Sequence, residues 1–298
     1  MAFDINQWLQ NNTTDLHGRV VVMTGAAGGL GSVVTRHLLK AHAKVIMLER
    51  NVEKMENLRK QLLEEMPTAE IEIMQVDLNQ IKSINQVITQ LVTQRIDYLI
   101  LNAGVYNVPI TTSELGYNNV FQINFVGQYY LTKQLLPALQ RTKGKVVLVS
   151  SIAASYYGKL DENDIDYTKH EKKSKIYGNS KRFIMFALAE LFKERDDVSL
   201  SIVHPGITLT PMTNARHNEF IKFLMKLFFP KAEVAALNIV RGVFEDLNND
   251  EWIGPRFLRV WGVPTISKLP ESTAVERAKI FNLAENICKL ITSSKDFN

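Results

Sequence analysis

Short apolar runs alternate along the chain with longer stretches whose apolar residues recur at helical spacing. The short runs are rich in β-branched residues and end at Gly, Asp, Ser or Asn, which is typical of strands. Because their apolar character is nearly continuous, we expect them to be buried on both faces of a parallel sheet. The predicted strands lie at 19–25, 43–48, 69–77, 96–104, 144–151 and 198–206. The predicted helices lie at about 30–41, 52–65, 80–94, 117–140 and 176–195.

Strands that alternate with helices in this way predict an α/β fold, a Rossmann-type doubly wound parallel sheet with helices on both faces. The alternation stops after residue 206, and the rest of the chain is predicted to be helical at 218–244 and at about 271–291. The polar stretch 155–175 predicts an exposed loop insertion. Since no internal repeat and no linker interrupt the chain, we expect a single domain over 1–298.

The composition is that of an ordinary globular protein, with 46% apolar and 22% charged residues. A formal net charge of +4, spread along the chain, gives no reason to expect nucleic acid as a partner. Cys288 is the single cysteine, so no intramolecular disulfide can form. The N-terminus lacks the pattern of a signal peptide, and no apolar run is long enough to span a bilayer. We therefore expect a soluble, cytoplasmic protein.

A glycine-rich turn, TGAAGGLG at 24–31, follows the first predicted strand and opens the next predicted helix. Glycine permits positive φ angles and lets the backbone approach a ligand closely. The following helix presents free N–H groups and the positive end of its dipole to a phosphate. A tight turn without a ligand would use the same residues, but the strand–turn–helix context favours a dinucleotide site. Its contact residues would be Gly25, Gly28, Gly29, Leu30 and Gly31.

Polar residues follow two further predicted strands, at the sheet edge where ligands of such folds bind. Asp77, beside Leu78, ends the third predicted strand, where its carboxylate could reach an adenine amino group. Asn102, Ala103 and Gly104 end the fourth predicted strand, beside the glycine turn. Singly, each has a plainer explanation, since Asp77 could only cap the next helix and Asn102 could only form a turn.

Tyr177 and Lys181 lie one helical turn apart in YGNSK, so they share a face of the predicted helix. A nearby ammonium lowers the pKa of a tyrosine, as does the positive charge of an oxidised nicotinamide ring. A tyrosine with a lowered pKa can exchange a proton with an alcohol or carbonyl near neutral pH. Such a pair alone is common by chance, but Ser151 ends the fifth predicted strand at the same edge of the sheet. Asn124 is a polar residue in an apolar helical stretch. Its side chain needs a partner there, so it either makes a structural hydrogen bond or takes part in a water-mediated proton path.

The motifs TGAAGGLG, NAG, FQINFVG, VLVSS, YGNSK and HPGITLT occur together and in this order over about residues 18–212. In this combination the chain resembles the short-chain dehydrogenase/reductase family of the classical type. The resemblance implies hydride transfer between a nicotinamide cofactor and an alcohol or carbonyl substrate, with no metal. It implies a catalytic tetrad of Asn124, Ser151, Tyr177 and Lys181. In this tetrad the asparagine would support a water chain that returns the proton to solvent.

Ser151 is preferred to Ser150 because the second serine of the family's SS pattern usually matches the catalytic one. The stretch between Ser151 and Tyr177 is longer than in many members, as in the retinol-dehydrogenase-like and carbonyl-reductase-like branches. The sequence at 252–268 is also similar to the retinol-dehydrogenase-like branch, and 207–298 would form a helical, substrate-binding C-terminal region. The cofactor contacts implied by the resemblance are the glycine turn, Asp77, Leu78, Asn102, Ala103, Gly104, Tyr177, Lys181, Pro205, Gly206, Ile207 and Thr210.

Glu49 follows the second predicted strand, where an acidic residue hydrogen-bonds the ribose hydroxyls of NAD. A carboxylate there would repel the 2′-phosphate of NADP, so we expect NAD to be preferred. Arg50 is the contrary signal, because an adjacent arginine can bind that phosphate or lie over the adenine. Gly28 stands where many NADP-selective members carry Lys or Arg, so the turn adds no second basic group.

Two other functions are compatible with parts of the pattern. A nucleotide-sugar epimerase shares the fold and the tyrosine–lysine pair, but its glycine spacing differs from that of TGAAGGLG. A non-catalytic redox-sensing regulator would bind the cofactor but usually loses the tyrosine or the lysine. The expected partner is a small alcohol or carbonyl, and a homo-oligomer is compatible with the sequence. Tyr106, Tyr156, Tyr157, Met212 and Phe220 suggest that this substrate is apolar. The apolar segment 220–229 is expected to close over it rather than contact a membrane surface.

Overall fold

A single eight-stranded sheet organises the chain. The computed structural model describes residues 3–157, 160–169, 172–207, 230–294 and 297. The strands are β1 (Val20–Thr24), β2 (Lys44–Glu49), β3 (Ile71–Gln75), β4 (Tyr98–Leu101), β5 (Lys145–Val149), β6 (Ser199–Val203), β7 (Glu251–Phe257) and β8 (Trp261–Lys268). Their order in the sheet is β3-β2-β1-β4-β5-β6-β7-β8. The first seven strands pair in parallel, and β8 pairs antiparallel with β7 at one edge.

Helices cover both faces of the sheet and form two apolar cores with it. The helices are α1 (Ile5–Asn12), α2 (Gly31–Lys40), α3 (Val52–Glu65), α4 (Ile81–Leu91), α5 (Asn119–Phe121), a π-helix (Gln122–Val126), α6 (Gly127–Thr142), α7 (Ala153–Tyr156), α8 (Lys173–Phe192), α9 (Ala232–Phe244) and α10 (Ala274–Ser293). One core joins α4, α6, α8 and α10 to the sheet, and the other joins α2, α3 and α9 to the opposite face. Within the described residues, no helix combines the length and the hydropathy needed to cross a bilayer.

The predicted doubly wound fold is confirmed, since β1 lies between β2 and β4 with helices on both sides. The first six strands lie within the predicted ranges except that β2 ends one residue later. Parallel pairing brings the carboxyl ends of β1, β4, β5 and β6 to one edge of the sheet. Ligands of open α/β sheets bind at this edge, near the point where the strand order reverses.

The expectation that only helices follow residue 206 is wrong, because β7 and β8 extend the sheet. Glycine and proline interrupt the apolar pattern at Gly254, Pro255, Gly262 and Pro264, which hid both strands. These residues are tolerated because the hairpin forms the sheet edge and a bulge lies between Pro255 and Phe257. The helix α1, whose amides are capped by Asp4, was also missed.

The stretch 155–175 is not simply an exposed loop, as the sequence had predicted. Asp164, Asp166 and Tyr167 are buried. The Asp166 carboxylate accepts a hydrogen bond of 2.6 Å from the backbone amide of Asn118. The charged residues that made the stretch look exposed are therefore partly used as internal hydrogen-bond acceptors at the start of α5.

Candidate active site

The glycine turn connects β1 to α2 and lines a cavity of about 720 Å³ at the carboxyl edge of the sheet. Gly25 has a φ of +65°, and a Cβ there would lie 2.9 Å from the Ala103 Cα atom. A Cβ on Gly31 would lie 2.1 Å from the Gly25 carbonyl oxygen. Glycine is therefore required at both positions, by close packing and at Gly25 also by conformation. The amino end of α2 carries no capping side chain and no acidic residue in its first turn, as an anion site requires.

The end of β4 is bonded to this turn through a buried polar network. The Asn102 side-chain amide donates to the carbonyl oxygens of Thr24 and Gly25, at 3.2 and 2.9 Å. The Ala103 amide donates to Thr24 Oγ1 at 3.0 Å. Gln128 on α6 accepts from Thr24 Oγ1 at 3.2 Å and donates to the Ala103 carbonyl at 2.8 Å.

Thr24 and Gln128 were not singled out from the sequence. Gln128 carries the same signal as Asn124, one helical turn away, because both are polar residues in an apolar stretch of helix. The network fixes the distance between the glycine turn and the Asn102–Gly104 segment, so both walls of the cavity are held in place.

The end of the cavity near β2 and β3 has the acidic and basic residues expected around an adenosine. Asp77, Leu78, Glu49 and Arg50 all line it, as predicted. Asp77 Oδ1 accepts from the Asn79 amide at 2.9 Å, so this carboxylate also serves the plainer structural purpose. Glu49 Oε1 accepts from the Arg50 amide at 3.1 Å. Lys54 on α3 lines the same end and was not anticipated.

Tyr177 and Lys181 share the face of α8 that borders the cavity, as their spacing predicted. Burial raises the pKa of Tyr177 to about 12, opposed by a hydrogen bond with Ser151. Burial lowers the pKa of Lys181 to about 8. The Lys181 ammonium donates to the Val149 carbonyl at 2.9 Å and lies 6.0 Å from the centre of the Tyr177 ring.

The prediction that Lys181 lowers the pKa of Tyr177 is therefore wrong when only the protein's own groups are considered. Loss of hydration is the largest cause of the raised tyrosine pKa. A lysine whose pKa is about 8 has lost its charge well below the pH at which this tyrosine titrates. That prediction also included the positive charge of an oxidised nicotinamide ring, which belongs to the cofactor and not to the protein. At neutral pH the phenol of Tyr177 is protonated and suited to donate a proton.

The two serines after β5 have different surroundings. Ser151 is partly exposed to the cavity and hydrogen-bonds Tyr177. Ser150 is 2% exposed, and its hydroxyl has no hydrogen-bond partner. Its backbone amide donates to the Val203 carbonyl at 2.8 Å. The geometry thus brings Ser151, rather than Ser150, to the tyrosine oxygen.

Asn124 lies in the π-helix between α5 and α6 and is fully buried. Its side chain accepts from the Val105 amide at 2.8 Å and donates to the Val105 carbonyl at 3.0 Å. It also donates to Ser180 Oγ at 3.0 Å, and Ser180 donates to the Tyr177 carbonyl at 2.8 Å. Asn124 therefore makes the structural hydrogen bonds that a buried amide requires and joins the segment after β4 to α8.

The mouth of the cavity is apolar and aromatic. Tyr106 packs edge-on against Tyr177 with ring centroids 5.1 Å apart. Tyr156 and Tyr157 line the opening and are 67% and 46% exposed. Pro205, Gly206 and Ile207 also line the cavity, whereas Thr210, Met212, Phe220 and the segment 220–229 lie outside the described residues.

The chain is similar to known proteins over most of its length. Residues 19–219 match the family described as short chain dehydrogenase. An uncharacterized oxidoreductase of Schizosaccharomyces pombe is 30% identical over 257 residues, which cover 81% of this chain and 74% of that protein. Retinol dehydrogenase 14 of Mus musculus is 30% identical over 216 residues, covering 68% of this chain and 65% of that protein.

A solved structure has the same architecture over nearly the whole chain. An uncharacterized protein of Mycobacterium paratuberculosis superimposes with a TM-score of 0.74 at 26% sequence identity. The superposition covers 94% of this chain and 96% of that one.

Proposed function

The chain belongs to the short-chain dehydrogenase family, and we propose that it reduces apolar carbonyl compounds, or oxidises the matching alcohols, with NAD as preferred cofactor. Hydride transfer between NAD(P) and an alcohol or carbonyl is the activity of the family. The observation that carries the proposal is the placement of Ser151, Tyr177 and Lys181 in one cavity that the glycine turn also lines. Lys181 lies one helical turn after Tyr177 on α8.

The residues of the cavity fit a dinucleotide. The uncapped amino end of α2 and the close-packed glycines would hold the pyrophosphate. Asp77, Glu49 and Arg50 would surround the adenosine, and Asn102 to Gly104 would border the nicotinamide half. When bound, the cofactor supplies or accepts the hydride.

Proton transfer at the substrate oxygen is assigned to Tyr177. Its phenol is protonated at neutral pH, because its pKa is raised to about 12, so it can donate to a carbonyl oxygen during reduction. The Ser151 hydroxyl can donate a second hydrogen bond to the same oxygen and so favours the negative charge that develops there. Lys181, whose pKa is about 8, is largely protonated at pH 7 and stabilises a phenolate left after the transfer. Asn124 holds the segment after β4 against α8, so we assign it a positioning role.

An apolar substrate follows from the walls of the mouth. Tyr106, Tyr156, Tyr157 and Ile207 offer large apolar surfaces, and the exposed rings would lose contact with water when a bulky substrate binds. Retinol dehydrogenases among the relatives make all-trans-retinal a reasonable first probe of a bulky apolar carbonyl.

NAD preference is proposed from Glu49, which ends β2 and lines the cavity. A carboxylate at this point would accept hydrogen bonds from ribose hydroxyls and repel a 2′-phosphate. Arg50 and Lys54 line the same end and act in the opposite direction. We give the carboxylate the greater weight because the glycine turn carries Gly28 rather than a basic residue.

The test of the proposed function is Tyr177→Phe, measured against a panel of aldehydes, ketones and alcohols with both cofactors. We expect turnover to fall by at least about a hundredfold, since proton transfer by a positioned group contributes roughly 10²–10⁴ in rate. Cofactor binding, measured by fluorescence titration, should stay within about threefold of wild type, because the hydroxyl is not needed for the nucleotide.

Retention of most of the wild-type kcat by Tyr177→Phe would show that the assignment is wrong. Wild-type protein that binds the cofactor but turns over no member of the panel would instead indicate a redox-sensing regulator. The Tyr157→Phe variant is the matched control, because it removes a neighbouring phenol hydroxyl at the mouth and keeps the ring.

A further inference from the structure

Tyr156 and Tyr157, at the mouth of the cavity, lie on a short segment that packs tightly against α8. We call residues 153–157 and 160 the mouth segment. A Cβ atom on Gly178 would lie 2.6 Å from both the Ala153 carbonyl oxygen and the Tyr157 Cβ. Gly178 directly follows Tyr177 in the sequence, so the mouth segment rests on the same turn of helix as the proposed acid. Any shift of that segment changes the space above Tyr177.

A buried ion pair is hydrogen-bonded to the backbone on both sides of Tyr156 and Tyr157. Arg182 directly follows Lys181, and it binds the Glu276 carboxylate with two hydrogen bonds of 2.8 and 2.7 Å. The two side chains are only 6% and 16% exposed. Arg182 also donates to the Ala154 carbonyl, before the two tyrosines, at 3.4 Å. Glu276 accepts from the Leu160 amide, after the two tyrosines, at 3.4 Å.

The pair also reaches the C-terminal helix. Glu276 lies in the first turn of α10, and Arg182 donates to the Glu271 carbonyl before that helix at 2.9 Å. A buried ion pair adds little net stability over apolar residues, because both charges lose their hydration. Fixing the register of neighbouring elements is its better-attested use. Here the neighbouring elements are α8, α10 and the segment that carries Tyr156 and Tyr157.

We propose that Arg182 and Glu276 are positioning residues that set the width of the substrate mouth and thereby the selection of bulky over small carbonyl substrates. The inference rests on the proposed function. Neither side chain needs to touch the substrate, since both act through the backbone groups at Ala154 and Leu160. When the pair is broken, Tyr156 and Tyr157 lose their fixed position, and a substrate that spans the mouth loses its apolar wall. A small substrate uses only the inner part of the cavity and is unaffected.

The chain offers a matched control on the same helix. Glu285 lies further along α10 and pairs with Lys133 of α6 at 2.8 and 3.0 Å, while it also accepts from the Tyr129 hydroxyl at 2.8 Å. Glu276→Gln and Glu285→Gln thus each remove one carboxylate charge that joins α10 to the body of the protein. Only the first carboxylate bonds the mouth segment.

The kinetic test compares both variants with wild type on all-trans-retinal and propanal. For Glu276→Gln we expect the KM for retinal to rise about tenfold, since misplaced positioning groups cost rates and affinities of this order. Its KM for propanal, its kcat for propanal and its cofactor Kd should stay within about twofold. Glu285→Gln should leave all four quantities near wild type, whatever its effect on Tm.

A second readout needs no substrate. Hydrogen–deuterium exchange of peptides covering 152–166 should be faster in Glu276→Gln than in wild type, and unchanged in Glu285→Gln. The inference would be overturned if Glu276→Gln and Glu285→Gln exchanged at the same rate. It would also be overturned if Glu276→Gln changed the KM for retinal and for propanal equally. Neither result would affect the proposed function, which is tested by turnover of the wild-type protein. If Glu276→Gln does not fold, Arg182→Lys provides the same comparison, because it keeps the charge but lacks the two-pronged hydrogen bonding.

Discussion

At the scale of single residues, the site depends on which of two neighbouring serines, both of which line the cavity, acts on Tyr177. Successive residues of a strand point to opposite faces, and Ser150 and Ser151 continue this alternation just beyond β5. Ser150 is enclosed, whereas Ser151 reaches Tyr177. The sequence could predict this difference only through the family pattern, because both serines have the same chemistry.

Ser151→Ala should therefore reduce kcat/KM far more than Ser150→Ala. The first substitution removes a hydrogen bond to Tyr177 and one to the developing charge on the substrate oxygen, which is worth about 10²–10³ in rate for a comparable donor. Steady-state kinetics on the same carbonyl substrate provides the measurement. The reverse ranking would transfer the catalytic role to Ser150.

Cofactor choice is also decided by a few side chains, at the end of β2. Wild type should use NADH with a higher kcat/KM than NADPH, and Glu49→Ala should shift that ratio toward NADPH by removing the repulsion of the 2′-phosphate. Glu53→Ala is the control, because it removes an exposed carboxylate on α3 that does not line the cavity. A wild-type preference for NADPH of about tenfold or more, equivalent to roughly 1.4 kcal/mol, would mean that Arg50 and Lys54 dominate.

At the scale of secondary structure, elements with a strong apolar period were predictable and those formed by tertiary contacts were not. The strands β1, β2, β4 and β5 are nearly continuous apolar runs because they are buried on both faces. The sequence located them together with β3 and β6. The hairpin of β7 and β8 contains Gly254, Pro255, Gly262 and Pro264, so local propensity argued against strands there. Pairing with β6 overrides that propensity at the register Val203 to Ile253.

The candidate site shows the same division. Gly25, Tyr177 and Lys181 were predictable because a turn or a helical spacing fixes their geometry. The Arg182–Glu276 pair was not, since it joins residues 94 positions apart and neither belongs to a motif. The π-helix at Asn124 was also not predictable, because its irregular hydrogen bonding has no distinct apolar period.

At the scale of the whole molecule, the sheet edge and the site are coupled through the segment that follows β6. His204 is fully buried and packs on Trp252 of β7 with ring centroids 4.2 Å apart. A Cβ on Gly254 would lie 1.8 Å from His204 Nε2, so the hairpin fits closely around this ring. His204 directly precedes Pro205 and Gly206, which line the cavity. The edge hairpin that the sequence missed therefore supports one wall of the site.

Protonation of His204 should oppose folding. Burial, with a smaller contribution from Arg259, lowers the pKa of His204 to about 3, while an unfolded histidine titrates at about 6.5. Between these values the unfolded chain binds a proton that the native protein does not, so stability is present above pH 6.5 and is lost as the pH falls. His37, whose pKa burial lowers to about 4, acts in the same direction.

Urea unfolding of wild type and His204→Phe at several pH values between about 7 and 4 tests this coupling. The phenylalanine keeps a ring against Trp252 but cannot take a proton, so its free energy of unfolding should fall less steeply with decreasing pH, by up to about 1.4 kcal/mol per pH unit. Parallel curves for wild type and His204→Phe would mean that the ring is hydrated or paired in solution. The difference between the two slopes is the informative quantity, because the carboxylates, which also lower stability in acid, are common to both proteins and cancel.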